Sequence, residues 1–328
     1  MYSNGYRYRK IITIDNAMVV GGADIASFPM PIMIVNDLNL RKIGLGGKVT
    51  NTNGYDIIFT NTADTALNHE MAYYDYTTGT LYAFVKVTAT HAADFQIYMY
   101  YGNSSITTSQ ENITGVWSDR YVGVWHLEES AAPYLDSTSN NTDLAVESSP
   151  VQADGKIRKG IDATAGSLVD TTPSANIYQT QPTFEAWVYL DSLVTTDTPA
   201  VTIDGGFSGD GWFTLDIDSS ERPFFRKSYG TGSGERHQAQ SPDALSTGQW
   251  YYLVGTRPSL STLKIYVNGT LKATATSVAN ALASNNSNFR IGYRDSKRWP
   301  GKIDEVRISN AERSINYIQT VYNSIANY

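Results

Sequence analysis

The stretch Gly248-Gln249-Trp250-Tyr251-Tyr252-Leu253-Val254-Gly255-Thr256, followed shortly by Leu263-Lys264-Ile265-Tyr266-Val267-Asn268-Gly269-Thr270-Leu271, decides the fold. Both runs are built from aromatic and β-branched residues, which fit a pleated, half-buried surface. Leu263, Ile265 and Val267 alternate with Lys264 and Tyr266, the period of a strand with one buried face. Asn268-Gly269 sits where the alternation stops. Both residues accept the positive φ that a two-residue type I′ turn demands. The pattern predicts an antiparallel hairpin.

Similar short runs extend in both directions. Thr183 to Leu190, Trp212 to Asp218, Pro223 to Lys227, Phe289 to Tyr293 and Gly301 to Ser309 read as strands. Ile315, Ile318, Val321, Tyr322 and Ile325 fall on one helical face behind Ser314, a residue suited to capping. Towards the N-terminus, Tyr8 to Ile14, Tyr55 to Thr60, Glu70 to Tyr76, Leu81 to Thr88 and Phe95 to Tyr101 are strand-like. Phe28 to Val35 contains Pro29 and Pro31, so it lies at a sheet edge or begins after Pro31. Gly79 supplies the positive φ of a hairpin turn at Asp75 to Thr80. The expectation is an all-β chain of two antiparallel β-sandwich modules with one short C-terminal helix. Residues 1–103 form the first module, the polar stretch 104–120 a linker, and 121–328 the second.

Composition narrows the function. The chain has 328 residues, 41% hydrophobic and only 17% charged, enough apolar surface for two cores. A net charge of −7 argues against nucleic acid, whose phosphates need a basic face. With no Cys, disulfides, thiolate metal sites and Cys nucleophiles are excluded. No apolar run approaches the ~20 residues that span a bilayer. Met1 to Lys10 has no apolar core of a signal peptide. Either a leader has been removed, or the chain reaches its place of action by another route, as a virion component released by lysis would.

Residues 121 to 323 resemble the laminin-G-like, concanavalin A-like jelly-roll family. The matching pieces are Val124-Trp125-His126-Leu127, Asp136 to Asn141, Glu185-Ala186-Trp187-Val188, the two runs quoted first, and Gly301 to Ser309, in the family's order. Residues 6 to 103 resemble a bacterial, archaeal and phage domain of unknown function that often precedes such a jelly roll. Its matching stretches are Tyr8 to Ile14, Gly54 to Phe59, Tyr74 to Gly79 and Ile97 to Asn103. The resemblance implies a jelly roll that binds glycans or other surfaces. It also implies a structural calcium ion near the loop Asp136 to Asp143 and the closing strand, with side chains from Asp136 and Asp304; the oxygen-rich loop itself adds Asn141 as a candidate ligand. Ca²⁺ takes six to eight oxygens from such loops. Ser139-Asn140 stands where the family has Gly-Asn, and an Asx-rich turn without metal is the alternative.

For catalysis the sequence offers little. Alternation points Asp304 and Glu305 to opposite faces, which suits a structural or metal role for Asp304 and a salt bridge for Glu305. Asp216, Asp218 and Glu221 resemble a glycosidase carboxylate run, but Ser219 to Pro223 reads as a turn that takes Glu221 off the strand. None of the four His lies in a nucleophile or zinc motif. Sugars stack on aromatic rings and take polar partners at their hydroxyls, which makes Trp212, Tyr229, Arg236 and Trp299 the candidate ligand contacts. The leading expectation is a non-catalytic accessory protein, extracellular, on a cell surface or on a virion. It would bind polysaccharide, a cell-surface glycan or a receptor, or decorate an assembly with other surface or virion proteins, and an oligomer is compatible with this. A purely structural capsid, fibre or filament component and a polysaccharide-cleaving enzyme are the alternatives.

Overall fold

A computed structural model describes residues 5–170, 177, 179–204, 212–228, 236–276 and 288–326. The chain divides into two compact units, Met1–Asp119 and Arg120–Tyr328.

The first unit carries two three-stranded antiparallel sheets among its described residues. With strands numbered in chain order, one runs β1 (Tyr8–Ile14), β6 (Phe95–Tyr101), β3 (Ile58–Thr60); the other runs β2 (Ile25–Ile34), β5 (Thr80–Ala89), β4 (His69–Asp75). Strand β2 is an edge, so Pro29 and Pro31 remove no central ladder bond. Gly79 has φ +74° in the β4–β5 turn, as its sequence required.

The stretch expected as a linker is corrected by its packing. Residues 104–119 are folded onto this unit. Asn112 caps the short helix α1 (Ile113–Val116) by accepting from Gly115 N. Glu111 accepts from Met71 N at 2.7 Å, and Lys86 Nζ donates to Gly115 O and Ser118 Oγ. Trp117 is buried against Phe84, with ring centroids 5.1 Å apart, and its indole N–H donates to Glu70.

Among its described residues the second unit forms two large antiparallel sheets. One runs β19 (Thr270–Ala275), β18 (Thr262–Val267), β17 (Trp250–Ser259), β12 (Thr183–Leu190), β23 (Gly301–Ser309), β10 (Lys159–Asp162), β9 (Val151–Asp154), with β7 (Tyr121–Trp125) also on β23. The other runs β16 (Arg236–Gln240), β15 (Pro223–Ser228), β14 (Trp212–Ile217), β13 (Thr198–Asp204), β20 (Asn288–Ile291), β11 (Ser167–Asp170), β8 (Leu144–Ser148). A small ribbon, β21 (Tyr293–Arg294) and β22 (Lys297–Arg298), follows β20.

Alternate residues of the two sheets fill one core. Phe184, Ala186, Val188, Leu253, Ile265 and Ile303 come from the first, and Phe213, Leu215, Phe225, Val201 and Ile291 from the second. Gly255 is needed where they meet, because a Cβ there would lie 2.2 Å from the Phe225 ring. The Asn268-Gly269 turn has φ +50° and +75°, as predicted. Helix α2 (Ile315–Ala326) starts at Ser314, whose hydroxyl accepts from Tyr317 N. It covers the outer face of the larger sheet, where Tyr322 stacks on Trp187 and the Tyr317 and Tyr121 hydroxyls meet at 2.8 Å.

The packing of residues 104–119 has a measurable consequence. Trp117→Ala removes a buried ring and its indole bond to Glu70, so the first unit should lose about 3–5 kcal/mol. Scanning calorimetry should show a lowered transition for that unit and an unmoved one for the jelly roll. An unchanged scan would return 104–119 to a linker.

Candidate functional site

Strand β14 sends Phe213, Leu215 and Ile217 into the core, so Thr214 and Asp216 face outward. Phe225 on β15 points inward, which turns Phe224 and Arg226 outward with them. This outer face is filled by its own polar network. Asp216 is fully buried and accepts from Arg294 at 2.7 Å and from Thr214. Burial pushes the Asp216 carboxyl up, opposed mainly by Arg294. Arg226 lies 4.1 Å over the Phe224 ring and donates to Asp197 at 3.0 Å and Gln238 at 2.8 Å. Gln238 donates to Gln240, and Gln240 to Asp218.

The three acids of the glycosidase pattern therefore have separate duties. Asp216 is held by Arg294. Asp218 accepts from Ser220 N, Arg222 N and the Arg222 side chain. Burial alone would raise it, but these donors keep it below the usual carboxylate range. Glu221 has φ +56° in the β14–β15 turn, off the strand as the sequence indicated, and accepts from Val194 N at 2.9 Å.

Of the expected ligand contacts, Trp212 and Arg236 fall in one cross-strand row, each opposite Ser228 of β15. Tyr229 lies outside the described residues. Trp299 is a correction. It is fully buried in the jelly-roll core and its indole donates to Tyr189 O at 3.0 Å, so it has no face for a ligand. The β21–β22 ribbon folds this loop-like sequence back over β13.

Asp136 organises its loop. One oxygen accepts from Val124 N and Thr138 N, the other from Thr142 N and the Thr138 hydroxyl. A carboxylate offers about four lone-pair sites, so an ion at Asp136 has to displace a donor. Asn141 takes φ +52° in the same loop. Asp304 lies on β23, fully buried, with one oxygen accepting from Ile157 N at 2.8 Å and the other without a hydrogen-bond partner among the described residues. Nowhere among those residues do three His, Asp or Glu side chains gather as metal ligands.

Strand β23 also corrects the alternation. Glu185 faces Arg307 and Trp187 faces Asp304, so β23 has one extra residue between them. Glu305 has φ +51° at this bulge. Ile303, Val306 and Ile308 stay in the core, which leaves both Asp304 and Glu305 on the outer side. Glu305 makes the expected salt bridge, to Arg307 at 2.6 Å and to His126 at 2.7 Å. Burial raises its carboxyl, but His126 and Arg307 outweigh that and hold it low. Asp304 is driven well up by burial and by Glu305. Glu128, beside Arg158 at 2.6 Å, is pushed by burial up to about 7.

A second feature was not read from the sequence. A groove of about 260 Å³ opens at the edge of the sandwich, where β16 approaches β18 and β19. Tyr251, Leu245 and Val267 give it an apolar wall, and Ser241, Asn268 and the Asp243–Lys272 pair (3.0 Å) give it polar groups. The Tyr251 hydroxyl accepts from Ser246 N and from Gln249. These residues come from three separated stretches, and Tyr251, Val267 and Asn268 are legible in the sequence only as parts of a hairpin.

Residues 163–319 match the family model of the concanavalin A-like lectin/glucanases superfamily, and residues 53–122 match a domain of unknown function. The second unit is a concanavalin A-like jelly roll. A search of curated sequences gives no match. Among solved structures, the chain is similar to domain 4 of AbnA, a GH43 extracellular arabinanase from Geobacillus stearothermophilus, in complex with arabinotriose (TM-score 0.52, 19% identity, 62% of this chain and 98% of that one). It is similar to the binding domain of Paraclostridial Mosquitocidal Protein 1 (0.52, 15%, covering 63% and 53%). It is also similar to the receptor binding domain of botulinum neurotoxin mosaic serotype C/D (0.50, 14%, covering 63% and 51%). The chain thus spans about half the length of the two toxin domains it matches. At these identities the likeness concerns the jelly-roll fold.

The raised Glu128 carboxyl makes stability depend on pH. The fold favours its protonated form, so this contribution is full below the ordinary value of 4.5 and is lost as pH rises to about 7. Glu128→Gln should therefore gain thermal stability relative to the parent between pH 4.5 and pH 7. A difference in melting temperature that stays flat across that window would refute the assignment.

Proposed function

We propose that this chain is a non-catalytic binding protein whose jelly roll holds carbohydrate in the groove at its edge. The groove carries the reading. A sugar ring has an apolar face that suits Tyr251, Leu245 and Val267, and hydroxyls that suit Asp243, Lys272, Asn268 and Ser241. About 260 Å³ is room for a single sugar residue or a short terminus, not for a long polymer. Support by analogy comes from the arabinanase domain solved with arabinotriose and from the toxin receptor-binding domains. Binding is proposed to occur outside the cell, on a cell surface or on a virion. Weak single sites of this kind gain strength from display in many copies.

The test is a glycan array followed by titration of any hit, with whole-cell pull-down alongside. Asp243→Ala, at a largely exposed side chain, should weaken binding about tenfold by removing a charged hydrogen-bond acceptor. Tyr251→Ala should weaken it at least as much. A chain that retains no glycan, cell or receptor, or a hit that both variants bind unchanged, would sink this reading.

The structural calcium ion at Asp136, Asn141 and Asp304 belongs to the same proposal. Thermal melting in EDTA and in added calcium decides it. A rise of several degrees with calcium would carry the ion, and an unmoved transition would remove it.

A further inference from the structure

The first unit displays apolar side chains that its own core does not use. Val35, Leu38, Ile43, Leu45 and Tyr76 are each between 38% and 68% exposed. Four of them fall within eleven residues of one loop. Scattered exposed apolar residues are ordinary, but a local concentration of large ones marks an interaction surface.

The loop is held, not loose. Leu40 and Val49 are fully buried and anchor it. Lys48 N donates to Asn39 O at 2.9 Å, Val49 N to Arg41 O at 3.2 Å and Leu45 N to Lys42 O at 2.8 Å. The Asp37 side chain accepts from Asn39 N and pairs with Lys10 at 2.6 Å. The β4–β5 turn is laced to the same loop, since Lys42 N donates to Tyr76 O and Arg41 Nε to Thr77 O. A Cβ on Gly79 would lie 2.0 Å from Asp37 O, so glycine permits that contact. Ordering cost at a partner is thereby low, because the apolar tips are already presented.

The charges around these tips identify the partner. Residues 35–50 carry Arg41, Lys42 and Lys48 against the single acid Asp37, which Lys10 already neutralises. Asp75 in the adjoining turn adds a second acid, held ionised by the Thr77 and Thr78 donors, so four cations, Lys10 included, stand against two acids. An excess of cations in this loop, on a chain of net charge −7, is a local feature. Exposed apolar side chains interspersed with an excess of cations match a surface that is anionic at its face and apolar beneath. Soluble polysaccharide or nucleic acid offers the charge without the apolar layer. We infer that the loop 35–49, with Tyr76, docks on an anionic lipid bilayer, with Leu38, Ile43 and Leu45 entering the headgroup boundary and Arg41, Lys42 and Lys48 facing the lipid phosphates.

Vesicle flotation of the full chain tests this, using phosphatidylcholine alone and phosphatidylcholine mixed with phosphatidylglycerol. The chain should float with the anionic vesicles, less so with neutral ones, and less as salt is raised. Lys42→Gln should weaken anionic binding by about fivefold. The double variant Leu38→Ser with Ile43→Ser should weaken it by roughly tenfold or more. Both positions are exposed, and an unchanged melting curve would confirm that the variants fold. Glycan binding should be untouched by the double variant, which separates this inference from the jelly-roll reading. No flotation with either vesicle at low salt, or flotation that the double variant leaves intact, overturns it. A concentration-dependent dimer abolished by the double variant, in a chain that ignores vesicles, would also overturn it and give the patch to a second copy.

Discussion

Strand β23 pairs with β12, β10 and β7, and its bulge at Glu305 places two carboxylates, Asp304 and Glu305, on one buried outer face. Removing a charge from water costs several kcal/mol unless it is paired and hydrogen-bonded. The surrounding structure answers that constraint. Arg307, two residues along the strand, and His126, just beyond β7, both reach Glu305. Arg307 is in turn held charged by Glu305 despite its burial. Glu185 accepts from the Tyr252 hydroxyl, and Tyr121 meets Tyr317 of helix α2. The polar layer and the helix that seals it are therefore one arrangement. The helix supplies Tyr317 and Tyr322, and the layer supplies the surface they pack on.

This arrangement limits where a ligand can be held. The outer face of the larger sheet is covered by α2 around Trp187 and Tyr121. The outer face of the smaller sheet carries Asp216, Arg294 and Arg226, all nearly or fully buried and bonded to one another or to Asp197 and Gln238. Exchanging such bonds for those of a sugar would leave buried charges unpaired, a cost of 3–5 kcal/mol or so for each broken pair. The edge groove has no such obligation. Its ion pair, Asp243 with Lys272, is partly in water and can be shared with an incoming hydroxyl at little cost.

How much of this was legible follows from what a period-two pattern can encode. The core faces of β12, β14, β18 and the hairpin at Asn268-Gly269 could be read because side-chain period and turn chemistry agree there. The same holds for α2 behind Ser314. The bulge was hidden, because alternation counts residues one by one and an inserted residue reverses everything beyond it. Trp299 looked like a loop residue because its neighbours Asp295 to Arg298 are polar, and only the fold-back of the ribbon buries it. Residues 104–119 looked like a linker for a similar reason. Their polar side chains serve neighbouring strands, with Glu111 on Met71 N, and the apolar anchors are only the adjacent pair Val116 and Trp117. The groove was beyond sequence reading altogether, since Ser241, Tyr251 and Lys272 are joined by topology alone.

On the two proposals above, the units would meet different recognition problems with different physics. In the jelly roll, a small groove with a tyrosine wall and one solvent-exposed ion pair favours weak, exchangeable contact with hydroxyl-rich ligands. In the first unit, a laced loop with exposed Leu38 and Ile43 beside Arg41 and Lys42 favours a surface with both charge and an apolar depth. Neither contact is large by the standard of a stable protein–protein interface. Two such sites on one chain would reinforce each other wherever both reach one target, because the first contact raises the effective concentration for the second. That gain needs no coupling through the protein interior. It asks only that both surfaces face the same target, which a glycan-bearing envelope with an anionic bilayer beneath it provides.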